Sequence, residues 1–157
     1  MREALIFTAA SLKTVGFYNF TLNIQYSLAC KYLNMLATEK IKAFVPTLNP
    51  ANAKQFYSDV LGLTLLSEDN YALQYDANGT FLRVTTVQAF QPHPFTVLGW
   101  SVKDIAATIT ELTAKGVVFE RYSFVEQDDS GIWTAPGGTK VAWFKDPDGN
   151  LLSLDSQ

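Results

Sequence analysis

The chain reads as an α+β protein of two βαβββ modules, with curved mixed sheets expected around a cupped cavity. Three observations lead there. The order strand, helix, three strands occurs twice along the chain. The glycines that stop the two helices, Gly62 and Gly116, mark corresponding points with a period of roughly 55 residues. A hairpin signal precedes the last strand of each half, Asn78-Gly79 in the first and Asp146-Pro147-Asp148-Gly149 in the second. The halves share little identity, so the repeat is one of patterning. Two sheet faces of this kind would line a cleft suited to a small molecule.

Each element has a local reason. IKAFVPTL (41–48) alternates apolar and mixed residues and predicts a strand. Asn49-Pro50 predicts a helix start, with asparagine as N-cap and proline in the first turn. Ala53, Phe56, Tyr57, Val60 and Leu61 fall on one helical face, and Gly62 stops the helix. LTLLSED and YALQYDA follow as strands, then TFLRVTTVQAF (80–90) after the Asn78-Gly79 turn. QPHPF (91–95) is a stiff connector. TVLGWSV (96–102) opens the second module. Asp104 caps a helix that buries Ile105, Ile109 and Leu112, with Glu111 and Lys115 spaced as an i,i+4 pair. VVFERYSF (117–124) predicts a strand, and QDDSGIWTAPGG predicts a polar loop. KVAWFK and NLLSL close the chain as a hairpin.

Composition narrows the function. The 157 residues suit one globular domain, with 48% hydrophobic and 17% charged residues. A net charge of −3 lacks the basic stripe that nucleic acid requires. One cysteine, Cys30, excludes an internal disulfide framework, and one histidine, His93, excludes a two-histidine metal site within one chain. No apolar run is long enough to span a bilayer. Residues 1–34 are expected to be an extension outside the core fold. The alternative is an added helix with Phe17, Phe20, Ile24 and Leu28 on one face. Ser27-Leu28-Ala29-Cys30 is a poor match to a lipoprotein cleavage box, so the expected location is cytoplasmic. Residues 35–157 form the expected domain, with modules at about 40–90 and 96–157.

FYSDVLGL (56–63), GWSVKDI (99–105) and FKDPDGNLLSL (144–154) resemble the vicinal oxygen chelate superfamily. That group holds glyoxalase I, extradiol dioxygenases, and bleomycin- and fosfomycin-resistance proteins. The resemblance covers about residues 40–157. It implies paired βαβββ modules, often in a homodimer, around a cavity that commonly holds a divalent metal. The family's four ligand positions, filled there by His, Gln or Glu, fall here on Lys42, Arg83, Val97 and Ser153. Protonated lysine and arginine offer no lone pair, and valine offers nothing. No metal or other cofactor is therefore expected.

The same substitutions have a positive reading. Two cations in a cavity call for an anion. The expected ligand is an anionic small molecule, with Lys42 and Arg83 as anchors and Ser153 as a hydroxyl donor. Phe44, Tyr75 and Trp143 are the expected aromatic lining, Trp143 by stacking. The bland alternative pairs the cations with Glu126, Asp128 or Asp155. Trp100 is expected under the second helix, Trp133 as a lid or dimer anchor, and His93 as an exposed connector residue. Three functions remain: a binding protein that sequesters its ligand, a glyoxalase- or dioxygenase-type enzyme using a metal or Lys42 or Glu126, and a sensor module with a protein partner. Fold alone does not choose among them.

Overall fold

Two side chains start the two helices. Asn49 Oδ1 accepts the N–H of Asn52 at 3.1 Å, and Asp104 Oδ1 accepts that of Ala107 at 3.0 Å. In this computed structural model, which describes residues 36–156, helix α1 spans Pro50–Gln55 and helix α2 spans Ile105–Ala114. The helix α1 predicted as one run widens after Gln55 into a π-helical turn, Phe56–Val60. Leu61 closes it with a bond to the Phe56 carbonyl at 2.9 Å. The 1–34 extension and Cys30 lie outside the described residues.

The strands form two four-stranded mixed sheets. The first holds β1 (Lys42–Thr47), β2 (Thr64–Glu68), β3 (Ala72–Ala77) and β4 (Thr80–Thr86) in the order β1-β4-β3-β2. The second holds β5 (Leu98–Ser101), β6 (Trp133–Thr134), β7 (Lys140–Lys145) and β8 (Leu151–Ser156) in the order β5-β8-β7-β6. In each sheet the outer pair, β1 with β4 and β5 with β8, is parallel, and the other pairs are antiparallel. Parallel pairing follows from the crossover that carries each helix. This is the α+β pattern of two modules.

One face of each sheet is the core. Val45, Leu73, Tyr75, Leu82 and Val84 are buried in the first module with Ala53, Phe56 and Tyr57 of the α1 segment. Ala142, Phe144, Leu152 and Leu154 are buried in the second with Ile105, Ile109 and Leu112 of α2. Trp100 stacks on Phe144 in this layer, ring centres 6.4 Å apart. Truncating a ring such as Phe144 would cost about 3–5 kcal/mol.

Three local expectations are corrected. Residues 117–124 do not form a strand; Phe119 makes only an isolated bridge with Phe144. The side chain of Gln127 does the work of a neighbouring strand instead. It accepts from the Tyr122 N–H at 2.7 Å and donates to the carbonyls of Glu120 and Gly131. Within the expected loop, Trp133–Thr134 pairs with β7 as a short edge strand. Lys115 does not seek Glu111: its Nζ donates to the carbonyls of Asp59 and Val60, at 3.2 and 2.9 Å. Those carbonyls end the α1 segment, where a cation is favoured.

The β7–β8 turn pins the second module to the first. Asp148 accepts from the Thr47 hydroxyl at 2.6 Å and from the Leu48 N–H at 2.9 Å. Asn150 donates to the Pro46 carbonyl at 2.9 Å and to Asp146 at 2.8 Å. Asp146 also accepts the phenol of Tyr57 at 2.9 Å. Every member of this buried network has a partner, which keeps the polar groups from being costly.

Candidate ligand-binding site

Period-two alternation assigns the strand residues to faces. With Ala142, Phe144, Leu152 and Leu154 in the core, Val141, Trp143 and Lys145 of β7 take the other face, with Leu151, Ser153 and Asp155 of β8. Against this face lies a cavity of about 600 Å³, within the range for organic ligands. Trp143, Lys145, Leu151 and Gly149 form its floor and edge. Pro92, His93, Pro94, Phe95 and Thr96 of the connector form one wall, and Tyr122 and Phe124 form another.

The walls are built from paired rings. His93 and Phe95 stack at 5.5 Å with 16° between their planes. Trp133 backs Trp143 at 6.0 Å and 27°. Tyr122 meets Trp143 edge-on at 5.6 Å and lies 5.1 Å from Phe124. Offset and edge-on pairs of this kind favour fixed geometry. Gln127 holds the backbone under Tyr122 by the bond already described. Pro92 lies close over Gly149, where a Cβ would come within 3.0 Å of its ring. Gly149 also has a φ of +87°, so glycine is required there twice over.

The electrostatics are modest. Lys145 Nζ donates to Glu120 at 2.8 Å, and this hydrogen bond is the main reason its pKa is raised. Burial pushes the Tyr122 phenol up, with the Glu120 charge adding to the effect. Glu120 does not line this cavity; it lines a neighbouring one that Lys145 also borders.

The predicted site residues divide. Trp143 lines the cavity; Lys42, Phe44, Tyr75, Arg83 and Ser153 do not. Lys42, Phe44 and Arg83 share the open face of the first sheet, with Phe44 opposite Arg83 in the β1–β4 register and Lys42 opposite Phe81. Lys42 Nζ sits 5.0 Å from the Phe81 ring centre. Ser153 lies between Gly99 and Trp143 in register and is nearly buried. Val97 is half-buried, its N–H on the Leu151 carbonyl. Tyr75 is a correction: it is fully buried on the helix side, 5.8 Å from Tyr57, with its hydroxyl 3.4 Å from that of Ser58. Leu73, Tyr75 and Ala77 share a phase, and burying that ring places it with the apolar set. Glu126 is exposed and does not line the cavity.

Sequence reasoning missed His93, Phe95, Tyr122, Phe124 and Lys145 as lining. A clue was present in the Pro-flanked His93-Pro94-Phe95, a rigid segment carrying two rings.

The fold defines a class: tandem modules, each a four-stranded mixed sheet under one helix, with the outer strands parallel. The chain belongs to the Glyoxalase/Bleomycin resistance protein/Dioxygenase superfamily, whose sequence model matches residues 40–154. Solved structures agree in fold. A glyoxalase family protein from Bacillus anthracis is 14% identical with a TM-score of 0.62, over 76% of this chain and 95% of that one. A lactoylglutathione lyase from Agrobacterium tumefaciens is 17% identical with a TM-score of 0.57, over 76% and 93%. An antibiotic binding protein from a Streptomyces species is 23% identical with a TM-score of 0.55, over 76% and 95%. Comparison with curated proteins found no match.

The four residues that the resemblance sets against the family's metal positions do not have the chemistry to hold a divalent ion. Lys42 and Arg83 are cations, Val97 is apolar, and Ser153 supplies one neutral hydroxyl. Among the described residues no group of three or more His, Cys, Asp or Glu side chains is placed to hold a metal.

Proposed function

We propose that this protein captures a small organic molecule in the aromatic cavity of its second module and holds it by stoichiometric binding. The observation that carries this reading is the cavity itself. It has ligand-sized volume, floor and walls of Trp143, Tyr122, Phe124, His93 and Phe95, and large rings left exposed at its edge. Phe95 is 58% exposed and Phe124 79%, so a bound molecule has apolar surface to cover. The poor donor set of Lys42, Arg83, Val97 and Ser153 supports binding without a divalent metal. The similar fold of an antibiotic binding protein from Streptomyces is compatible with it.

The test is binding by the purified chain. A panel of aromatic compounds should raise the melting temperature, and Trp143→Ala should abolish the rise while the protein stays folded. Stoichiometric zinc, nickel or iron in the purified protein, with turnover that depends on it, would sink the reading in favour of a glyoxalase- or dioxygenase-type enzyme.

A second reading concerns the first sheet. Lys42 and Arg83 share an open face and have no salt bridge among the described residues. They suit an anionic group as anchors. Phe44, on the same face, is 61% exposed, and a second copy of the chain is the proposed cover, giving a homodimer. A cytoplasmic location is part of the same proposal. Among the described residues no helix is long and apolar enough to cross a membrane.

A further inference from the structure

We infer that the occupant of the aromatic cavity is a planar aromatic acid, its ring held between the connector and Trp143 and its carboxylate at Lys145. The inference rests on the cavity being the ligand site and adds the chemical class. Two features carry it. First, the walls are flat. The His93–Phe95 stack puts two near-parallel rings in one wall, and Trp143, backed by Trp133, puts a third in the floor. A flat molecule between them gains contact on both sides. Second, the polar side chains that line the cavity are His93, Thr96, Tyr122 and Lys145. Each can donate a hydrogen bond, and none is a carboxylate.

Of these four, Lys145 carries the ammonium group, and its pKa is raised by the hydrogen bond to Glu120. Its partner Glu120 lies on the neighbouring cavity and uses one of three ammonium hydrogens. The remaining hydrogens are available to an anion. A cationic ligand would meet the ammonium and find no carboxylate in the lining.

The test uses 2-naphthoate, its neutral amide 2-naphthamide, and the cation 2-naphthylmethylamine, titrated into the intact chain by calorimetry. The acid should bind about tenfold tighter than the amide, and the cation weakest. Lys145→Gln should erase the advantage of the acid over the amide. Glu120→Gln should tighten the acid, because the competing carboxylate is gone. Both substitutions lie at an exposed ion pair and should leave the fold intact. Equal affinity for acid and amide, or an acid preference that survives Lys145→Gln, overturns the class. If both bind and both are lost in Trp143→Ala, the cavity reading stands without it. If none of the three binds, both readings fall.

Discussion

Tyr57 and Asp146 come from different modules, and each solves a burial problem for the other. The phenol is wholly buried, and burial pushes its pKa up, with the Asp146 charge adding to that. Removing the hydroxyl in Tyr57→Phe leaves the carboxylate one donor short; the expected cost is about 2 kcal/mol, read from urea unfolding. Asp146 has its own pKa raised above 3.8, chiefly by desolvation, while bonds from Asn150, Tyr57 and Asp148 pull it back. The folded state therefore holds this proton more tightly than the unfolded chain does. The resulting stabilisation is fully present below the unfolded value and is lost as pH rises through the raised folded value. Relative to Asp146→Asn, the wild type should lose advantage as pH rises above the ordinary aspartate range and through the raised folded value, measured as the difference in urea midpoints. A gap that widens with pH would mean that the hydrogen bonds outweigh burial.

At the scale of elements, β5 and β8 approach with no room for a methyl group. A Cβ at Gly99 would lie 2.6 Å from the Ser153 hydroxyl. Gly99→Ala should cost about 1 kcal/mol, and adding Ser153→Ala should recover it, which a double-mutant cycle would register. The segment 117–132 makes a second case. Gln127→Ala removes three bonds to backbone, so limited proteolysis should cut first between residues 120 and 132. This segment also marks where sequence reading stopped. Caps such as Asn49 and Asp104 are legible because the residue bonds to its own neighbours. The alternation that set Trp143 on the open face is local in the same way. Gln127 reads as a solvated loop residue because its partners are backbone groups fixed only by the folded loop. The cavity walls were hidden for a related reason. His93 and Tyr122 reach the cavity through a connector and a loop whose paths no periodicity encodes.

At the scale of the molecule, the two modules depend on one turn. Asp148→Ala removes the contacts to Thr47 and Leu48, and both modules should then unfold at lower urea in one transition. Two separate transitions would mean that the modules are independent. Phe44→Asp should lower the fraction of dimer in sedimentation experiments if a second copy covers the first sheet. The paired βαβββ order was legible because turn and cap residues punctuate it twice. The junction was not, since Asp146, Asp148 and Asn150 read fully as turn formers for their own hairpin.

The reach of that turn has a consequence for synthesis. Tyr57 and Asp146 are 89 positions apart, and Thr47 and Asp148 are 101. The first module leaves the ribosome long before the residues that satisfy its phenol and its threonine exist. Until the last turn emerges, Tyr57 must stay hydrated or find a temporary partner. A ribosome stalled just short of Asp146 should therefore carry a first module that proteases still cut. Completion of the final hairpin is the step that protects both halves at once.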